Sequence, residues 1–353
     1  MAQSVIIGTG SYIPEVKVSN QEFADHLFFE RDGMALRHNT SQIIEKFQKI
    51  TGISERRYAH ADQMASNLGI LAGEEAIASS GIDRESLDYI ITAHNFGDVF
   101  PESNRSSMVP SLASRIKAGL KISNPDCIAY DLAFGCPGWL EGFIQANLFI
   151  KAGAAKRCMI IGTETLSRII DPHDRDSMIY SDGSGAAILE MTTSNKGVLS
   201  HKSQTYARDH AMLLNMGPSY TDEGDNNLYI KMNGRKVYEF ALNFVPLAMK
   251  MVLDNAGVDL KEIKKILIHQ ANDKMDAAIV GRLYKLYGYE TMPDGIMPMT
   301  IGWLGNSSVA TIPTLLDLIL KNRLTNHQIN EGDKVIFASV GAGMNINAVL
   351  YQF

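Results

Sequence analysis

The chain has 353 residues, 45% of them apolar, 20% charged and 8% aromatic, which is material for one or two substantial cores and excludes a disordered tail, a fibrous repeat or a disulfide miniprotein. Thirty-three Lys and Arg against 39 Asp and Glu leave a net charge of −6 with no long block of either sign, which argues against nucleic acid as the main ligand. Three cysteines without a CxxC pair, Cys127, Cys136 and Cys158, argue against a disulfide framework or a thiolate metal site, so no metal is expected. The N-terminal run MAQSVIIGTGSYIP lacks a basic leader and no apolar stretch reaches about 18 residues, so the expectation is a cytoplasmic protein without a membrane span.

Taken in chain order, SVIIGTG, DYIITAH from Asp88, CIAYDLA from Cys127, RCMIIGT from Arg157 and GAAILEMT from Gly185 predict buried or half-buried strands. Helical patterns fall between them: NLGILAGEEAIASSG ends at Gly81, and PGWLEGFIQANLFIKAG starts with Pro137 at the first helical position and stops at Gly153. The alternation is that of an α/β protein. Gly8 and Gly10 do not make a dinucleotide fingerprint, because Ile13 and Pro14 stand where a helix-opening glycine is required; they read as a strand-end turn. DGSG from Asp182 lacks the other ligands of a calcium loop and reads as a tight turn before a strand.

The second part of the chain repeats this grammar. SLDYIITAHNFGD with His94 is echoed by EIKKILIHQANDK with His269, IAYDLAFGCPG with Cys136 by GIMPMTIGWLGNSS with Asn306, and GAAILEM by INAVLYQ. Two generic βα units could coincide in this way, but the shared order favours duplication. The expected halves are residues 1–195, carrying the cysteine, and 196–353, carrying the histidine and asparagine. The second includes an irregular polar stretch from about Gln204 to Asn227, read as a surface excursion or part of an active-site entrance.

Cys136 ends a strand-like run and precedes a helix, where free backbone amides lower a thiol pKa; Cys127 and Cys158 lie inside strand patterns and read as core residues. His269 follows the apolar run KILI at a strand terminus, beside Gln270, Ala271 and Asn272, where ligand-binding residues of α/β folds emerge. His94, His173 and His210 read as surface or structural histidines. Asn306 in GWLGNSS is a turn or cap on local grounds, or an active-site group if the duplication brings both halves to one cleft.

With these residues in place the chain resembles the β-ketoacyl-acyl carrier protein synthase III family of the thiolase superfamily. The resemblance runs through GTGSYIP, TGISERR, DLAFGCPGW, IGTETLS, DPHDR, SDGSGAAIL, HQAN, GNSSVATIP and VGAG, in order and over nearly the whole chain. It implies a duplicated five-layer α/β/α/β/α thiolase-like fold, an intimate homodimer and a Cys136, His269 and Asn306 catalytic set. It also implies decarboxylative Claisen condensation of a Cys-bound acyl group with malonyl-acyl carrier protein. Cys136 would attack an acyl thioester carried by coenzyme A or carrier protein, with a thiol pKa depressed by the helix N-terminus. The backbone amides of Cys136 and Ala342 would form the oxyanion hole, Ala342 standing where the family usually has glycine. A neutral His269, with Asn306, would stabilise the enolate. No cofactor is implied beyond coenzyme A or phosphopantetheine as substrate carrier.

Departures bear on specificity. Lys46 and Ile50 in KFQKITGI replace a tryptophan and an arginine that the family uses at the adenine end of coenzyme A. Arg175 in DPHDR matches a coenzyme A contact, Arg235 in MNGRKV stands near the phosphopantetheine channel where asparagine is common, and Lys274 occupies a carrier-docking position; Ala271 and Asn272 complete the expected carrier-binding set. Phe100 resembles a dimer-loop phenylalanine that limits the partner's acyl pocket, or else is an aromatic loop anchor. Trp139 is expected to add bulk near the nucleophile. Two alternatives are a hydroxymethylglutaryl-coenzyme A synthase-type condensation, which wants a glutamate acid/base, and a non-catalytic acyl- or carrier-binding subunit.

Overall fold

The computed structural model describes residues 2–101, 103–221 and 226–353. The first half contains, in chain order, β1 (Gln3–Tyr12), α1 (Thr40–Thr51), α2 (Ala65–Ser80), β2 (Tyr89–His94), α3 (Leu112–Gly119), β3 (Ile128–Ala133), α4 (Gly138–Lys151), β4 (Arg157–Thr165) and β5 (Asp182–Thr192). The second contains β6 (Gly197–Thr205), β7 (Leu214–Gly217), β8 (Tyr229–Met232), α5 (Gly234–Ala256), β9 (Ile263–Ile268), α6 (Asp273–Leu286), α7 (Thr311–Leu320), β10 (Lys334–Gly341) and β11 (Asn345–Gln352).

Helix boundaries follow local chemistry. Gly81 ends α2 in the left-handed conformation at φ 69°, which glycine adopts without a Cβ penalty. Pro137 is the N-cap of α4 rather than its first helical residue, so the helix starts one position later than expected, at Gly138, and Glu141 lies in its first turn. Gly8 and Gly10 are interior to β1, a correction to the strand-end reading. A Cβ on Gly8 would stand 2.6 Å from the Ala76 carbonyl oxygen and one on Gly10 2.2 Å from that of Ala72, so these glycines let α2 lie directly on the strand. DGSG is likewise strand rather than turn: Gly185 is the point where β5 meets Pro313 and Thr314 of α7.

Among the described residues, one five-stranded sheet has the order β1-β5-β4-β2-β3 and one four-stranded sheet the order β6-β11-β10-β9. Corresponding neighbours run in the same relative directions, antiparallel for β1/β5, β4/β5, β6/β11 and β10/β11, parallel for β2/β4 and β9/β10. Beside β9, where β3 stands in the first sheet, Ile266 donates its N–H to Ile296 O.

Packing sets five layers. Residues of α2 and α3 share one core with the outer face of the first sheet, as Ala72, Ile116, Ile161 and Ile188 show. A central core joins both sheets through α4 and α7, with Phe143 and Leu315 between Ile160 and Phe337. A third core packs α5 and α6 on the far face of the second sheet. Lying between two sheets, α7 is buried on every side from Thr311 through Ile319, and its one carboxylate, Asp317, is taken up by the Thr9 and Ser11 hydroxyls and Lys321. Cys127 and Cys158 are buried core residues. Trp139 also points into the central core, where its Nε1–H donates to Ile160 O at 3.2 Å, so it does not add bulk to the cysteine's surroundings as expected.

Candidate active site

Cys136 lies in the turn between β3 and α4, His269 directly follows β9, and Asn306 precedes α7. All three line one cavity of about 230 Å³. Two glycines make the approach of the halves possible. Gly135, at φ 71°, lies so close to Ala342 that a Cβ would be 2.8 Å from its nitrogen, and a Cβ on Gly341 would be 2.6 Å from the Cys136 nitrogen. The Cys136 turn and the Gly341–Ala342 turn are therefore in direct backbone contact, and both border the chamber.

His269 is tied to the second sheet through its N–H to Ala338 O at 2.8 Å, and Asn306 to the segment that leads into β5 of the first sheet through its N–H to Ile179 O at 2.9 Å. Asn306 Oδ1 accepts the Ser308 N–H at 2.8 Å, which turns the amide nitrogen to other partners. Burial pushes the His269 imidazole down to about 4, only partly opposed by a hydrogen bond to the Ser308 backbone, so the ring is neutral at physiological pH. Its Nδ1 has no protein partner among the described residues.

The thiol departs from expectation. Burial, reinforced by the nearby Glu164 carboxylate, pushes Cys136 up to about 11, outweighing the Ser308 hydroxyl at 3.3 Å and the Cys136 amide, both of which favour the thiolate. Cys136 therefore rests as a thiol, because desolvation outweighs the donors around it.

The remaining chamber wall is mostly apolar: Phe96, Leu166, Leu214, Met216, Ile230 and Val237. Leu214, Met216 and Ile230 belong to the β7/β8 hairpin, so part of the irregular stretch expected from Gln204 to Asn227 forms the chamber wall; residues 222–225 of that stretch lie outside the described residues. Phe96, not Phe100, lines this chamber. Phe100 is 48% exposed and does not line the chain's own cavity.

A second cavity of about 1100 Å³ shares Ile179, Met232, Val237, Ala271 and Met275 with the chamber and forms its outer mouth. Arg175, Arg235, Ala271 and Asn272 line it, as do Lys46 and Ile50 of α1. Sequence reading missed two further basic groups there, Arg31 and His38, and the two acidic groups Asp176 and Glu239. Asn272 caps α6 by accepting from Met275 N–H at 3.1 Å, and Lys274 is exposed on that helix's first turn, outside the mouth.

Three residues near the cysteine were also missed: Ser308, Asn95 and the buried Glu164. Each stands inside or beside a motif quoted above, GNSS, AHNFGD and IGTETLS, but nothing local marks them as neighbours.

A family model described as 3-oxoacyl-[acyl-carrier-protein] synthase III matches residues 130–207, and its C-terminal counterpart matches 253–353. The chain is 30% identical over 360 residues to a β-ketoacyl-[acyl-carrier-protein] synthase III from Erythrobacter litoralis, covering all of both chains. It is 31% identical to one from Clostridium tetani, covering 99% of this chain and 98% of the other. Among solved structures, a 3-oxoacyl-[acyl-carrier-protein] synthase III from Aquifex aeolicus superposes with TM-score 0.81 at 27% identity, covering 99% of this chain and 100% of that one. The one from Thermus thermophilus superposes with TM-score 0.80 at 28% identity, with 99% and 98% covered. A cysteine, a histidine and an asparagine converging from two like halves, in a chain matched from end to end, identify it as a member of the β-ketoacyl-acyl carrier protein synthase III family.

Proposed function

We propose that this protein is an acyltransferase that condenses a Cys136-bound acyl group with malonyl-acyl carrier protein, releasing carbon dioxide and a β-ketoacyl thioester. The observation that carries the reading is the convergence of Cys136, His269 and Asn306 on one apolar chamber behind a basic mouth. In the first half-reaction Cys136 Sγ attacks the donor thioester carbonyl, the tetrahedral oxyanion is held by the Cys136 and Ala342 amides, and the first carrier leaves as its thiol. In the second, malonyl thioester loses carbon dioxide. A neutral His269 and the Asn306 amide donate to the thioester oxygen, the enolate carbon attacks the acyl-Cys, and Cys136 is released.

The depressed imidazole pKa supports an N–H donor role for His269 rather than a cationic one. Arg31, Lys46, Arg175 and Arg235 outnumber Asp176 and Glu239 at the mouth, which suits the phosphates of coenzyme A or phosphopantetheine. Lys274 adds an exposed cation beside it for an acidic carrier protein. With Lys46 and Ile50 where the family stacks and pairs with adenine, phosphate binding takes the larger share of carrier recognition.

The edge strand β3 pairs only with β2 among the described residues, and Ile128 on it is 49% exposed; Val109, in the loop before α3, is 89% exposed. An unpaired edge with apolar neighbours supports a homodimer closing over this side, with Phe100 reaching the partner. No helix among the described residues is long and apolar enough to cross a membrane, and a cytoplasmic setting suits carrier-bound substrates. We assign residues 1–195 and 196–353 as the two repeat halves sharing this chamber. A hydroxymethylglutaryl-type reaction would need a glutamate facing the substrate, and Glu164 does not line the chamber.

The test is release of carbon dioxide from malonyl-acyl carrier protein together with β-ketoacyl thioester formation, for the wild type and Cys136→Ala. Condensation by the wild type and none by the alanine variant is expected; persistent condensation in the variant overturns the covalent role.

A further inference from the structure

Ser308 touches every member of the catalytic trio. Its hydroxyl lies 3.3 Å from Cys136 Sγ, its N–H donates to Asn306 Oδ1 at 2.8 Å, and its backbone stands beside the His269 ring. It holds this place at φ +53°, a left-handed conformation uncommon for serine. Behind it, Asn95 Nδ2 donates to Ser308 Oγ at 2.9 Å. The same amide nitrogen donates to Glu164 Oε1, and the Asn95 backbone N–H donates to that oxygen at 2.8 Å.

The direction of each bond follows from what each atom can do. Glu164 Oε1 accepts two N–H groups, which fixes the Asn95 amide with its nitrogen, not its oxygen, toward Ser308. A serine oxygen already accepting from Asn95 has its own proton left to give, and Cys136 Sγ is the acceptor within reach. We propose that Glu164 and Asn95 are positioning residues that, through Ser308, aim a hydroxyl proton at Cys136 and so stabilise the thiolate that attacks the acyl donor. The inference rests on Cys136 being the nucleophile.

The chain does not require a charged carboxylate. Glu164 is 1% exposed, and burial raises it to about 8, so at neutral pH Oε2 carries a proton while Oε1 still accepts. The relay also supplies what the thiol needs, since burial holds Cys136 toward its neutral form. The other titratable groups facing this chain are His269 and Tyr180 about the thiol and Asp182 about Glu164; above about pH 8 the ionised Glu164 also acts on the thiol directly, and its charge opposes the thiolate.

The test reads the thiol itself, without any acyl substrate: iodoacetamide alkylation of Cys136 against pH, followed by intact-protein mass and peptide mapping. Ser308→Ala is expected to move the titration midpoint up by about one pH unit, roughly a tenfold slower alkylation below the midpoint, as a lost hydrogen bond to an anion would. Asn95→Ala, which removes the donor behind the serine, moves it the same way by less. Glu164→Ala and Glu164→Gln both lose the carboxylate charge that opposes the thiolate, so the relay is read from the difference between them, with the midpoint higher in Glu164→Ala because only Glu164→Gln keeps an accepting carbonyl. The double variant Ser308→Ala with Asn95→Ala shifts no further than Ser308→Ala alone, because the asparagine acts only through the serine. Superimposable wild-type and Ser308→Ala profiles, or full additivity in the double variant, would overturn the proposal. Labelling at buried Cys127 and Cys158 reports any unfolded variant; should Asn95→Ala unfold, the comparison of Glu164→Ala with Glu164→Gln tests the same link. Since no acyl donor is used, a failed relay and a failed condensing function give separate results.

Discussion

Two histidines stand at matching strand ends, one in each sheet. His94 closes β2 with protein groups facing both ring nitrogens: Nδ1 accepts the Gly97 N–H at 3.0 Å, and Nε2 lies at ion-pair distance, 3.0 Å, from Asp131 Oδ2, whose carboxylate also holds the Leu112 and Ala113 amides at the start of α3. His269 follows β9 and is also buried, but Nδ1 has no protein partner among the described residues and the ring borders the chamber. On the proposed reading, matching strand ends serve packing in one half and chemistry in the other. What separates the two histidines is what they face: His94 a carboxylate and a backbone amide, His269 the chamber.

That contrast can be broken by mutation. The largest effect expected is on activity: His269→Ala should lower the condensation rate by about 10²–10³, as loss of a preorganised donor to a developing oxyanion does, with little change in melting temperature. His94→Ala should do the reverse, costing on the order of 2–3 kcal/mol in denaturant unfolding by leaving the Asp131 carboxylate short of a partner, while the folded fraction keeps its turnover. If both variants lose activity at unchanged stability, the division between the halves is wrong.

A smaller effect concerns Glu164, which burial raises from the ordinary 4.5 to about 8. The folded protein therefore holds a proton that the unfolded chain releases, so this group's contribution is full below about pH 4.5 and is lost as pH rises toward 8. Glu164→Gln should flatten the decline of melting temperature between pH 5 and 8. Asp182, raised to about 6 by burial, leaves a residual decline of the same sign at lower pH. An unchanged slope in the variant would show that other groups set it.

The smallest expected effect lies at the mouth. Arg235 is exposed and pairs with Glu239 at 3.0 Å, so Arg235→Ala should raise the KM for a coenzyme A donor by roughly threefold at low salt and leave kcat alone, since a rim charge acts mainly on encounter. Loss of kcat there would move Arg235 inward, toward the reacting atoms.

Much of the candidate site was legible because each member of the trio sits in a short, chemically odd segment at the end of a periodic one: Cys136 between a strand and a proline-capped helix, His269 after KILI, Asn306 between Gly305 and a largely apolar, buried helix. The relay behind them was not legible. Asn95 meets Glu164 because β2 lies beside β4, and meets Ser308 across 213 residues because the second half folds over the first. No local pattern encodes either contact. The same limit misplaced Trp139, whose side-chain direction depends on the turn of α4 that faces the second sheet, and the β1 glycines, whose reason is a helix more than fifty residues away. It also led to a depressed thiol pKa being expected from the helix N-terminus alone, when the desolvation that reverses it comes from walls built by both halves.

The most direct test of the account is intact-protein mass before and after a chase. Incubation with short, branched, long and aromatic acyl donors, on coenzyme A and on carrier protein, should add one acyl mass that maps to Cys136. Malonyl-acyl carrier protein should then remove it, with release of carbon dioxide and appearance of the β-ketoacyl thioester. An adduct on Cys127 or Cys158, or an adduct on Cys136 that malonyl-acyl carrier protein leaves in place, would contradict the proposal that the chamber joining the two halves is where condensation occurs.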